Sequence, residues 1–129
     1  MDQDGEALTA DKLTEVYYDL NKKYFGNDLV VDEEIGLEWA RIPHFYYNYY
    51  VYQYSTGYSA AVALSNQILS EGQPAVDRYI NKFLKAGCSD TPIEVLKKAG
   101  VDMTSASPIE EACNVFEEKL NELEKLLLK

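Results

Sequence analysis

An all-α fold is what this sequence predicts. Apolar residues recur three and four apart in the longer stretches, Pro and Gly stand where helices would start and stop, and no stretch reads firmly as part of a sheet. In order, residues 9–25 read as the first helix. Thr9 suits an N-cap, Asp11 suits the positive end of the helix dipole, and Leu13, Val16, Tyr17, Leu20 and Tyr24 form one apolar stripe that Gly26-Asn27-Asp28 ends. Residues 29–43 read as an extended link, or a brief strand, and a short irregular turn around a buried Trp39, with Pro43 disfavouring a helical Ile42.

A long tyrosine-rich helix is expected from Phe45 or Tyr46 to Leu69, ended by Glu71-Gly72, with Gly57 explained by close packing or local unwinding. Pro74 opens a helix to about Ala86 that turns Val76, Ile80, Phe83 and Leu84 inward. Thr91-Pro92-Ile93-Glu94 and Ser107-Pro108-Ile109-Glu110 read as capping boxes with Pro at the first helical position, and Gly100 closes the helix between them. The last helix carries Ile109, Ala112, Cys113, Phe116, Leu120, Leu123 and Leu127 on one stripe, read as core packing rather than a coiled-coil seam. About six helices result, in a single domain over residues 1–129.

Composition narrows the functions. Twelve Lys and Arg against 22 Asp and Glu leave a net charge of −10, which repels phosphate backbones and anionic lipid, so neither nucleic acid nor membrane is expected as a partner. No apolar run reaches the roughly 18 residues that span a bilayer. The polar, acidic start does not resemble a signal peptide, and Cys88 and Cys113 read as buried or half-buried free thiols. A reduced, cytoplasmic setting is the expectation. His44 is the one histidine, so the chain cannot form a zinc site of the HExxH kind, and no metal ligands are expected in it.

Seven of the 11 tyrosines fall between positions 46 and 58. Phenylalanine fills aromatic volume without a hydroxyl to satisfy, so repeated tyrosine suggests that the hydroxyls are used. A phenol is neutral at pH 7 and donates a hydrogen bond well. Two phenols, or a phenol and an imidazole, aimed at one point would stabilise an oxyanion. On one continuous helix, Tyr47, Tyr50 and Tyr54 would share a face, with His44 about a turn before it. The same residues would also suit a tyrosine-rich helix in a half-wet interface. No GxSxG, Gly-rich phosphate loop or acidic metal loop accompanies them.

The run WARIPHFYYNYYVYQYSTGYSAAVA, from Trp39 to Ala63, closely resembles the C-terminal catalytic region of oligoendopeptidase F, a branch of the thimet-oligopeptidase-like zinc metallopeptidases. Tyr24-Phe25-Gly26, Val31-Asp32, Glu71-Gly72, Tyr79, Phe83-Leu84-Lys85-Ala86-Gly87 and Ala99-Gly100-Val101-Asp102-Met103 extend it to roughly residues 5–128. The resemblance implies the C-terminal part of a larger helical metallopeptidase fold. In that family HExxH and a later glutamate hold zinc. The histidine at the head of this motif and nearby tyrosines bind substrate and oxyanion. His44 and Tyr54 match the catalytic pair; Tyr47, with Tyr49 and Tyr52 as rivals, matches a substrate-contacting tyrosine.

HExxH and the third ligand are absent here, so zinc would be held by the parent enzyme on residues outside this chain, and the chain alone would be inactive. An excised domain, a split gene and a truncation all fit such a start. The leading expectation is the substrate-binding and oxyanion-stabilising part of a zinc metalloendopeptidase acting on short oligopeptides. The alternatives are a non-catalytic peptide-binding module and a helical module that self-associates as a homo-oligomer through an exposed apolar face.

Overall fold

The computed structural model describes Gly5 and residues 7–128. Among these residues every regular element is helical, as the periodicity predicts. The residues group into two compact units, one up to Val51 and one from Tyr52 onward.

In the N-terminal unit, helix α1 spans Ala10–Phe25. Thr9 caps it, its hydroxyl accepting from the Lys12 N–H at 3.2 Å, and Asp11 lies in the first turn. A nine-residue 3-10 segment, Glu33–Arg41, packs on this helix. Gly36 makes the close approach possible, since a Cβ there would stand 3.0 Å from the Thr14 methyl and 3.2 Å from the Thr14 carbonyl. The Trp39 indole N–H donates to Thr14 Oγ1 at 3.2 Å, and the Tyr18 hydroxyl donates to the Val31 carbonyl at 3.3 Å. Trp39 is half-buried rather than buried, and Leu20 and Tyr24, expected on the inward stripe, are exposed. Their turn of α1 extends past what the short 3-10 segment covers.

The C-terminal unit is built on helix α2, Gln53–Glu71. Ala60, Ala63 and Leu64 lie three and four apart and pack with Ala99 and Val101 into its buried core, flanked by Tyr79, Phe83, Leu96 and Met103. Gly72, at φ 70°, ends α2 where expected. Helix α3, Gln73–Arg78, continues as a π-helical turn, Tyr79–Leu84, with the Lys85 N–H bonded to the Ile80 carbonyl at 3.0 Å. The wider turn stacks Tyr79 on Phe83 at 5.6 Å between ring centroids. Ile80 and Leu84, expected inside, are exposed, because Ala75, Val76, Tyr79 and Phe83 occupy the inward face.

Helix α4, Pro92–Lys98, starts at Thr91, whose hydroxyl accepts from the Glu94 N–H. It ends in a Schellman motif. The Gly100 N–H bonds to the Lys97 carbonyl at 3.0 Å and the Val101 N–H to the Leu96 carbonyl at 2.9 Å. Just beyond, Asp102 accepts from the Thr104 hydroxyl at 2.6 Å and N–H at 3.0 Å and pairs with Lys97. Those bonds, the hydroxyl's first, hold its carboxyl down at about 2.

Helix α5, Ser107–Leu127, packs on α2, where the Asn66 amide donates to the Glu111 carboxylate at 2.7 Å. Its expected capping box does not form. The Ala106 carbonyl already takes the Ile109 and Glu110 N–H groups, and Ser107 lies inside the helix without a side-chain cap. Of the stripe expected to be core only Ala112 is buried, and Ile109 is already 47% exposed because the neighbouring Pro108 takes the inward position. Phe116 is 68% exposed and Leu127 75%, with Leu120 and Leu123 also exposed. Cys88 and Cys113 are exposed free thiols, against the expectation that they are at least half-buried. Cys113 follows the uncovered stripe, and Cys88 follows the turn at Gly87.

Gly57 neither packs closely nor unwinds its helix. It is helical, and a Cβ there would meet nothing within 4 Å. Gly57→Ala is therefore expected to stabilise the chain by about 0.5–1 kcal/mol by removing the backbone entropy cost of glycine. Chemical denaturation reads this as a higher midpoint at unchanged slope, and a lower midpoint would contradict it.

Candidate functional site

The tyrosine-rich segment is not one helix. Pro43 restricts the residue before it, and Ile42 is extended at φ −94°, ψ 106°. A single 3-10 turn follows, Pro43–Tyr46, closed by the Phe45 N–H on the Ile42 carbonyl at 3.2 Å. Residues 47–52 are turns and bends, and α2 begins only at Gln53. Tyr49 marks the break. It is the described non-glycine residue with positive φ, at 57°, a left-handed backbone that costs roughly 1–2 kcal/mol for an L residue. The expected helical face joining Tyr47, Tyr50 and Tyr54 therefore does not exist: Tyr47 and Tyr50 precede the helix, and Tyr54 lies in its first turn.

Within the N-terminal unit the structure does bring His44, Tyr47 and Tyr50 together. The imidazole stacks on the Tyr50 ring at 5.3 Å and 11°, and Tyr47 leans on Tyr50 at 6.1 Å and 57°. His44 is half-buried; Tyr47, Tyr49 and Tyr50 are exposed. Tyr50, outside the expected site set, is the ring that joins His44 to Tyr47. The sequence signals it by the tyrosine run and by a helical spacing from Tyr47 that the structure does not keep.

Three further contacts support this cluster. Phe45 meets the Tyr17 ring edge-on at 6.0 Å and 87°, Tyr46 lies against Trp39 at 6.3 Å, and the Tyr46 hydroxyl donates to the Ala40 carbonyl at 2.8 Å. The Tyr17 hydroxyl donates to the Glu38 carboxylate at 3.2 Å, and Glu38 also pairs with Arg41. Burial, reinforced by the neighbouring Glu38 carboxylate, pushes the Tyr17 phenol up. Nothing in sequence spacing marks the contacts to α1, since Tyr17 lies 21 residues from Glu38 and farther still from Phe45.

Tyr52 and Tyr54 belong to the C-terminal unit and are exposed. Tyr52 stands at the N-cap of α2, where its carbonyl accepts from the Ser55 hydroxyl at 2.8 Å and the Thr56 N–H at 3.2 Å. Tyr54 is the second residue of the helix. Farther along α2, an open groove of about 790 Å³ is lined mainly by apolar residues, among them Ala60, Leu64, Ile68, Tyr79 and Phe83. Its lining lacks the paired carboxylates or imidazole that hydrolysis would use.

The residues do not fit a resident zinc ion. Among the described residues no three or more His, Cys, Asp or Glu are grouped so as to hold a metal, and the sequence has a single histidine. No described helix is long and apolar enough to cross a membrane.

Known proteins resemble this chain over nearly all of its length. The sequence model for Peptidase family M3 matches residues 1–115. Oligopeptidase PepF of Bacillus subtilis (strain 168) is 75% identical over 127 residues, covering 98% of this chain and 19% of that protein. The chromosomal oligoendopeptidase F of Lactococcus lactis subsp. cremoris is 46% identical over 129 residues, or 21% of its length. The crystal structure of oligoendopeptidase-F from Enterococcus faecium superposes with a TM-score of 0.87 at 56% identity, over 98% of this chain and 24% of that one. The chain thus spans about a fifth of the length of these curated relatives.

Proposed function

The chain belongs to peptidase family M3, and from that premise we propose that it is the C-terminal substrate-binding and oxyanion-stabilising part of a zinc metalloendopeptidase that cleaves short oligopeptides in the cytoplasm. The observation that carries this reading is the aromatic cluster: the His44 imidazole stacked on Tyr50 with Tyr47 against the same ring, and further exposed tyrosines following in the chain. Flat rings with polar edges grip an extended peptide with little sequence preference. A phenol or imidazole N–H donates to the oxygen on which negative charge develops when a peptide carbonyl is attacked. His44 and Tyr54 take that catalytic role. Tyr47, Tyr49 and Tyr52 hold substrate. Zinc and the general base belong to residues outside this chain.

A second reading, a helical module that self-associates, is favoured by the uncovered Phe116–Leu120–Leu123–Leu127 stripe on α5. One preparation tests both. The purified chain is expected to take up no stoichiometric zinc and to hydrolyse no peptide, while a full-length protein containing it does both. Turnover by the chain alone would refute the first reading. A strict monomer by light scattering across a concentration series would remove the second.

A further inference from the structure

The geometry points to Tyr46 and Phe45, seated on Trp39 and Tyr17, as positioning residues that aim the His44 imidazole; this rests on the reading of His44 as a group that meets the reacting peptide. In a 3-10 turn successive side chains leave the axis about 120° apart. His44, Phe45 and Tyr46 are consecutive in the turn Pro43–Tyr46, so their side chains leave in three directions. Phe45 is held by the edge of the Tyr17 ring on α1. Tyr46 is held twice, by its ring against Trp39 and by its hydroxyl on the Ala40 carbonyl at 2.8 Å. With two of three directions fixed, the third is determined, and it places His44 on Tyr50.

The supports are themselves fixed. Tyr17 is tied to Glu38 and Glu38 to Arg41, while the Trp39 indole is tied to Thr14 on α1. The turn that carries His44 is thereby referenced to a 16-residue helix rather than to a free loop. A backbone strained at Tyr49 follows five residues later, so these anchors hold the turn from its N-terminal side. The Tyr46 hydroxyl serves no substrate. It is bonded to a backbone carbonyl, and its work is done before a peptide arrives.

The test is a double-mutant cycle in a full-length peptidase that contains this chain. Tyr46→Phe removes only the hydroxyl and keeps the ring on Trp39. It is expected to lower kcat about tenfold, with KM changed less than about twofold, because a misaimed group loses rate before it loses ground-state affinity. In a His44→Gln background the same change is expected to have no further effect, since Tyr46 acts through His44. Tyr17→Leu, which removes the ring behind Phe45, is expected to follow the same pattern, and Tyr17→Phe, which restores the ring, to recover most of the loss. An equal fall in kcat from Tyr46→Phe with and without His44 would overturn the proposal while leaving the role of His44 intact, as would no fall at all. Full kcat in His44→Gln would instead remove the role of His44 and the proposal with it.

Discussion

Tyr54→Phe, made in a full-length peptidase containing this chain, is expected to lower kcat by about 10²–10³ with a much smaller effect on KM. The substitution keeps the ring and every contact the ring makes, and deletes one O–H donor. In the bound substrate the peptide carbonyl is neutral and gains little from that donor. As the carbonyl is attacked its oxygen becomes anionic, and a fixed donor in a site shielded from water is then worth about 2.7–4 kcal/mol, which is the stated range in rate. Tyr54 stands in the first turn of α2, at the positive end of the helix dipole, which favours negative charge nearby by a few tenths of a kcal/mol to about 1 kcal/mol. The substrate-holding tyrosines should behave differently. Tyr47→Phe, Tyr49→Phe and Tyr52→Phe remove contacts made equally in ground and transition states, so KM should rise and kcat should hold. Steady-state kinetics on one peptide separates the two classes. Unchanged turnover in Tyr54→Phe would move the oxyanion role to another donor.

Helices were legible in the sequence wherever local chemistry decides them. Thr9, Thr91, Gly72 and Gly100 stop or start helices by bonds within a few residues, and the structure shows those bonds or backbone angles at each. The segment from Tyr46 to Tyr52 was not legible in this way. It holds no Gly or Pro, so pattern alone continues the helix, yet aromatic residues are only middling helix formers and long-range ring contacts override them. Phe45 on Tyr17 and Tyr46 on Trp39 hold the chain in a 3-10 turn, and Tyr49 turns left-handed before α2 can begin. The α5 stripe shows a related limit. Its spacing reveals an apolar face, but spacing cannot say what covers that face, and beyond Ala112 these residues leave it open. The site followed the same division. His44 and the tyrosines stand out by composition and by resemblance, whereas Tyr17, Trp39 and Glu38, which fix the turn beneath them, look like ordinary helix and core residues until the chain is folded.

Gly100→Ala is expected to be the most destabilising single methyl in the C-terminal unit, at about 2–4 kcal/mol. Two costs combine. The backbone at Gly100 has φ 104°, which L side chains rarely adopt, and holding alanine there costs about 1–3 kcal/mol. The added Cβ would also stand 2.7 Å from Gln67 Oε1 and 3.0 Å from Arg78 Nε. Side-chain ends usually yield, but these two are committed. Arg78 Nε donates to the Ala99 carbonyl at 3.0 Å, its Nη2 donates to Gln67 Oε1 at 2.9 Å and to Glu71, and Gln67 Nε2 donates to the Gly100 carbonyl at 2.8 Å. Those bonds satisfy carbonyls that the end of α4 leaves unpaired and tie it to α2 and α3, so moving either side chain gives up about 0.5–1.5 kcal/mol for each neutral bond lost and more where the guanidinium takes part. The same methyl at Gly57, in open helix, is expected to have the opposite sign. Denaturant melts of the two variants beside the parent chain therefore test the account directly. If Gly100→Ala melts with the parent, the Arg78–Gln67 clamp is slack and the turn after α4 is not under steric control.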